Sequence, residues 1–156
     1  MRKSQITRIP PSATRRDQAW MDVDRIASVE ISSEDSDYPI ESALLLERQG
    51  WRAANSGTQT IRLIFDEPQK LRRMLLVFED TKNSRTQEFV IRWSPDIECS
   101  FREIVRQQWN FSPPDSVRET EDYVVELSEV KVLELVIVPD KSGGEVRASL
   151  VSLRLA

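Results

Sequence analysis

From Thr58 to Ala156, apolar side chains recur at every second position in one short segment after another, and turn-forming residues separate the segments. A period of two puts successive side chains on opposite faces of an extended chain. "TQTIRLIF" sets Ile61, Leu63 and Phe65 against Thr60, Arg62 and Ile64; "DEPQ" reads as a turn, and "LRRMLLVFE" as the next strand, before the loop "DTKNS". "TQEFVIRWS" groups Phe89, Ile91 and Trp93 opposite Val90 and Arg92. In "SFREIVRQQWNF", Phe101, Val105, Trp109 and Phe111 alternate with Arg102, Arg106, Gln108 and Asn110, and "SPPD" ends the run. "EDYVVELS", "VKVLELVIV" and "EVRASLVSLRLA" follow, with "PDKSGG" as a loop before the last. Together with "ASVEIS" near residue 30, these segments make eight strands. So many strands with so little helix predict an all-β, antiparallel two-sheet sandwich or barrel.

The chain before these strands is less regular. Pro10 and Pro11 exclude a helix around them. "DQAWMDVDRIA" spaces Trp20, Val23 and Ile26 weakly at helical intervals and predicts a turn or a single helical turn. "IESALLLERQG" reads as a short helix closed by Gly50. At 156 residues the chain suits one domain with a substantial core. The division expected is an N-terminal arm over 1–26 and a β domain over 27–156.

Composition removes several function classes. The chain holds 22 basic and 26 acidic residues, a net charge of −4. Residues 1–26 carry six of the basic and three of the acidic ones, which leaves 16 against 23 for the rest. A mildly basic arm on an acidic body does not suit binding by phosphate neutralisation, so no nucleic-acid partner is expected. Histidine is absent. That excludes Ser–His and Cys–His nucleophiles and any zinc site built on imidazole. Cys99 stands alone, so no disulfide forms within the chain, and with no His to activate it Cys99 reads as a buried or half-buried packing residue. No apolar run has the length of a signal peptide or a membrane span. The expectation is a cytoplasmic protein without a membrane partner.

The stretch "GWRAANSGTQTIRLIFDEPQKLRRMLLVF" resembles the discoidin-like, or coagulation-factor C-terminal, domains of the galactose-binding-like fold. A "GW" loop leads into the strand "QTIRLIFDEP", "LRRMLLVFE" supplies the next strand, and "ASLVSLRLA" is similar to the closing strand of such domains. The resemblance covers residues 27 to 156. It implies an eight-stranded jelly-roll sandwich that binds ligands through loops at one end. Family ligands are mostly sugars, sometimes lipid head groups or other proteins, and the module by itself is seldom an enzyme. Many relatives carry an Asp-Gly pair before the "GW" loop as part of a calcium site. Here that stretch is "LLLERQGW", so neither calcium nor any other cofactor is expected.

Two stretches carry candidate ligand-binding residues. In "GWRAANSG", Trp51 either plugs one end of the sandwich or stacks on a sugar face while Arg52 and Asn55 bond hydroxyls. In "REIVRQQWNFSPPD", Arg106, Gln108 and Asn110 form a polar stripe beside Trp109, suited to a polyol; a solvated outer sheet face is the other reading. Trp20 and Trp93 read as packing residues, and the acidic runs "SSEDSD" and "VRETEDY" as solvated loops. The expected function is a non-catalytic carbohydrate-binding module. The alternative is a protein-interaction or assembly module, with a homo-oligomer among its forms, in which the same aromatic and Arg residues anchor an interface.

Overall fold

Two strands of 21 residues each organise the molecule. In the computed structural model, which describes residues 19–45, 49–98 and 100–156, the elements run α1 (Val23–Ile26), β1 (Ala27–Ile31), α2 (Ile40–Leu44), β2 (Trp51–Ser56), β3 (Gln59–Glu79), β4 (Arg85–Ser94), β5 (Arg102–Phe111), β6 (Arg118–Val138), β7 (Arg147–Leu150) and β8 (Ser152–Leu155). The long strands β3 and β6 pair antiparallel along their whole length, from Gln59 opposite Ile137 to Glu79 opposite Arg118. The first half of β3 is flanked by β1, and its last half by β8. The last half of β6 is flanked by β4, which carries β5 at the edge. The result is a five-stranded layer, β1-β3-β6-β4-β5, and a three-stranded layer, β8-β3-β6, built from the same two long strands. Ile61, Leu63, Ile91, Leu133 and Leu135 of the first layer surround the same small void as Met74, Leu76 and Leu153 of the second. The two layers therefore face each other across one core.

The eight strands are not divided as the alternation suggests. "DEPQ" is no turn. The ladder slips between Ile64 and Gln69 while β3 continues, and Pro68 falls in that slip. A bulged position asks for no ladder N–H, so proline is tolerated there. Likewise "EDYVVELS" and "VKVLELVIV" are halves of the single strand β6. The count is restored elsewhere, because "WRAANS" is the strand β2 and not a loop, and the final run divides at Val151 into β7 and β8.

Gly50 governs the entry to β2. Its φ is +68°, and a Cβ there would lie 2.5 Å from the Leu150 carbonyl oxygen. Only glycine lets the chain approach that closely. Trp51 then pairs with Leu150, and Arg52 with Ser149.

Another slip, between Ile91 and Arg92, turns the start of β5 over. Arg102 stands opposite Trp93 with its guanidinium 5.2 Å from that ring. Arg106, Gln108 and Asn110 stand opposite Val90, Glu88 and Thr86 on the other face. Arg102 is therefore not part of their stripe: one extra residue reverses a strand's facing.

Residues 1–18 and Cys99 lie outside the described residues. The packed chain begins before residue 27, since the Met21 amide donates to the Leu155 carbonyl and Val23 is buried. Trp20 lies against the guanidinium of Arg73, 5.0 Å away. The helix expected in "IESALLLERQG" is present only in its first half, as the short α2, which buries Ile40, Ala43 and Leu44 and is capped at Leu45, not closed by Gly50; 46–48 lie outside the described residues. No helix among the described residues is long and apolar enough to cross a membrane.

Candidate functional site

Strand register decides which connections meet. β3 ends at Glu79 opposite Arg118, β4 begins at Arg85 opposite Phe111, and β6 ends at Val138 opposite Glu88. The connections 80–84, 112–117 and 139–146 thus gather at one end of the sandwich. Ala156 lies at the other end, where its carbonyl accepts from the amides of Arg72 and Arg73. The gathered connections are tied together: the Asp80 amide donates to the Val117 carbonyl, and the Lys141 amide to that of Thr86, both at 2.8 Å. Asp80 also shapes its own turn, since its Oδ1 accepts from the amides of Lys82 and Asn83 at 2.8 and 3.0 Å.

Between these connections and the β2–β7 pair lies a cleft of about 510 Å³, lined by Arg52, Glu79, Asp80, Thr81, Lys82, Asn83, Arg85, Glu145, Val146, Arg147 and Ser149. Arg85 forms its floor. Its guanidinium donates to Asp80 Oδ2 at 2.6 Å, to the Pro139 carbonyl at 2.6 Å and to Gln87 Oε1 at 3.1 Å, and it covers the Phe111 ring at 4.6 Å. A cation so enclosed is tolerated only with such a set of acceptors. Burial pushes the Asp80 carboxyl up, but hydrogen bonds from Arg85 and from the Lys82 and Asn83 amides outweigh it and hold the group below the usual carboxylate range. On the walls, Glu79 pairs with Arg118 at 3.0 Å and Arg147 reaches Asp35 at 3.6 Å. Arg52 lies 4.6 Å above the Tyr38 ring.

Behind the floor, the hydrogen bonding runs into the core. Gln87 Nε2 donates to Glu119 Oε1 at 3.0 Å, and both residues are fully buried. The other oxygen of Glu119 meets no hydrogen-bond donor. Glu121, two residues on and on the same face of β6, interacts with Glu119 through its side chain. Two carboxyls in hydrogen-bonding contact hold a proton between them. Burial first, then Glu121, pushes Glu119 up to about 9, against the opposing effects of Gln87 and Arg85. Glu119 therefore keeps its proton at neutral pH. Tyr123, next on that face, donates to Gln107 Oε1 at 3.4 Å; burial, then the charges of Glu121 and Glu119, push its phenol up. This corrects the reading of "VRETEDY" as a solvated loop. Continuing the phase of Tyr123, Val125 and Leu127 backwards points Glu121 and Glu119 inward, and that was the legible signal.

The seven candidate residues do not converge. Trp51 is 1% exposed and its Nε1 donates to the Ser33 carbonyl at 3.1 Å, so it is the plug and presents no face to a ligand. Arg52 lines the cleft, whereas Asn55 is exposed on β2 outside the lining. Arg106 lies on the outer sheet face, paired at 2.9 Å with both Glu88 and Glu103. Gln108, Trp109 and Asn110 border, with Ser116, a separate hollow of about 370 Å³. There Trp109 turns inward, opposite Gln87, and packs partly buried on the core with its Nε1 unpartnered. Sequence reasoning missed Lys82, Asn83, Arg85, Arg147 and Ser149. They come from segments read only as a loop and a strand, and only the register of distant strands brings them beside Arg52.

Among the described residues, no three His, Cys, Asp or Glu side chains gather to hold a metal ion. No family model matches the chain, and no curated protein sequence does. Solved structures do match. The chain is similar to the CBM32 of AlyQ in complex with 4,5-unsaturated mannuronic acid, with a TM-score of 0.61 at 17% identity over 89% of this chain and 98% of that one. It is similar to the family 32 CBM of C. perfringens NanJ in complex with galactose, with a TM-score of 0.58 at 12% identity over 83% and 92%. A pectin-binding carbohydrate-binding module matches with a TM-score of 0.56 at 19% identity over 83% and 89%. Strand order, layers and these likenesses agree, and the chain has the discoidin-like jelly roll of the galactose-binding-like fold.

Proposed function

We propose that this protein is a non-catalytic carbohydrate-binding module and that the cleft floored by Arg85 is its binding site. The observation that carries the reading is the cleft itself: a concave, polar, loop-built depression on a fold whose similar structures include modules bound to galactose and to an unsaturated mannuronic acid. Sugar hydroxyls need donors and acceptors side by side. Arg52, Lys82, Asn83 and Ser149 supply donors, and Glu79 and Glu145 supply acceptors. The best-enclosed acid of the cleft does not favour hydrolysis. A glycosidase acid must hold a proton at working pH, whereas Asp80, the enclosed acid of the cleft, is held ionised by Arg85. The proton-holding carboxyl, Glu119, is fully buried behind the floor.

A glycan array followed by calorimetry tests the proposal. Binding should appear for wild type and weaken at least about tenfold in Arg52→Ala and Lys82→Ala, which corresponds to about 1.4 kcal/mol. Trp109→Ala should leave it in place. Loss in Trp109→Ala with the cleft variants intact would move the site to the hollow at Gln108 and Asn110. Silence across the array, together with a dimer or a co-purifying protein on size exclusion, would favour the protein-interaction reading.

A further inference from the structure

The ion pairs of the cleft leave an unequal remainder. Asp80 is taken by Arg85 at 2.6 Å and Glu79 by Arg118 at 3.0 Å, while Arg147 has Asp35 at 3.6 Å. Of the charged lining residues this leaves Arg52 and Lys82 without a carboxylate partner, against Glu145 alone on an exposed loop. A net positive remainder on a chain of net charge −4 is a local feature, not a reflection of the whole surface. Arg52 is also held in place. Its backbone pairs with the chain at both Asp35 and Tyr38, and its guanidinium lies 4.6 Å above the Tyr38 ring. Stacking orients the guanidinium plane while the N–H groups at its edge meet no acceptor among the described residues. A planar fork of free donors, fixed in direction and half-buried, matches a carboxylate through two parallel hydrogen bonds better than it matches a lone hydroxyl.

From this geometry we infer that the ligand of the cleft is an acidic saccharide, a sugar bearing a carboxylate, with Arg52 as the residue that reads the carboxylate and Lys82 as the second cation. The inference rests on the proposal that the cleft binds carbohydrate and narrows it to one class. Glu145 stands at the same cleft and disfavours a second negative group on that side, which limits the site to one acidic unit among neutral contacts.

Calorimetry on the full chain compares three probes of matched length: a galacturonate oligomer in which a single galacturonate unit is flanked by galactose units, the corresponding all-galactose oligosaccharide, and the same oligosaccharide with one sulfated galactose. Wild type should bind the galacturonate oligomer at least tenfold more tightly than the neutral one, and that ratio should shrink as salt is raised. Arg52→Gln should bring the ratio near one, and Arg52→Lys should restore only part of it, with melting curves showing that both variants fold. Equal binding of acidic and neutral probes, or a ratio that survives Arg52→Gln, overturns the inference while leaving the carbohydrate reading intact. Preference for the sulfated probe over the galacturonate overturns it in favour of sulfate. Binding of none of the three, with an equally silent array, overturns both.

Discussion

Replacing Glu119 with glutamine should remove the pH dependence of stability between pH 6 and pH 8. Glu119 is fully enclosed, and burial together with Glu121 pushes it from the ordinary 4.5 up to about 9. In the unfolded chain the same carboxyl ionises near its ordinary value. Between the two values the folded protein holds a proton that unfolding releases, so stability falls as pH rises, by about 1.4 kcal/mol per pH unit. The fall from pH 6 to pH 8 is then about 3 kcal/mol. Below about pH 4.5 both states hold the proton and the slope vanishes; above about 9 both have lost it and the decline is complete. The chain has no histidine, so no imidazole titrates inside the window. In Glu119→Gln the amide oxygen still accepts from Gln87, and the amide N–H replaces the shared proton towards Glu121. Urea denaturation followed by tryptophan fluorescence at pH 6, 7 and 8 measures both proteins. Wild-type stability should decline across the series while the variant stays flat and exceeds it at pH 8. A flat or rising wild-type curve, or an equal decline in the variant, would show that Glu119 does not hold its proton.

Gly50→Ala should lower stability by about 2–4 kcal/mol, because a left-handed backbone and a backbone oxygen 2.5 Å from the new Cβ both oppose it; a thermal melt unchanged from wild type would contradict the close approach to Leu150. Asp80→Ala leaves the Arg85 cation buried without its carboxylate and should cost about 3–5 kcal/mol. The double variant Asp80→Ala/Arg85→Met should recover much of that loss, and additive losses by chemical denaturation would count against a buried pair. Trp51→Phe should cost about 1 kcal/mol from the lost bond to Ser33 without altering ligand affinity; weaker binding in a folded variant would show that the indole does more than plug the sandwich.

Fold class was legible because alternation is a strong signal wherever one strand face is buried. Ile61, Leu63 and Phe65, and likewise Phe89, Ile91 and Trp93, are all core residues. Strand boundaries were less legible. Pro68 marks a turn in most contexts, and nothing local reveals that β6 carries β3 through the slip. The candidate site was legible only in fragments. Arg52 was found because it follows the Gly-Trp pair. Its neighbours across the cleft, Lys82 and Arg147, depend on pairings between residues far apart in sequence, and Arg147 arrives only through the short ladder of β7 with β2. Trp109 lies away from the cleft for a different reason. An aromatic next to polar residues looks like a binding platform, but alternation itself sends its ring to the face opposite Gln108 and Asn110.

Because β3 and β6 each belong to both layers, neither layer can come apart while the other survives. The separation in sequence between paired residues halves along this ladder, from Gln59 with Ile137 to Glu79 with Arg118. Closing the longer loop costs only about 0.6 kcal/mol more than closing the shorter one, so the ladder starts most cheaply at Glu79–Arg118 and extends towards the opposite end. Contacts this distant in sequence make for slow folding, but they also leave no half-folded stopping point. Amide protons in the centre of β3 and β6 should exchange only when the whole domain unfolds, whereas those of the edge strands β1 and β5, each held on one side, are released by local opening. The cleft hangs on the end of the long ladder through Glu79 and on an edge-held pair, β2 with β7, through Arg52 and Ser149. Both walls therefore lie where backbone hydrogen bonds open locally, free to adjust around whatever enters while the centre of the long ladder stays closed.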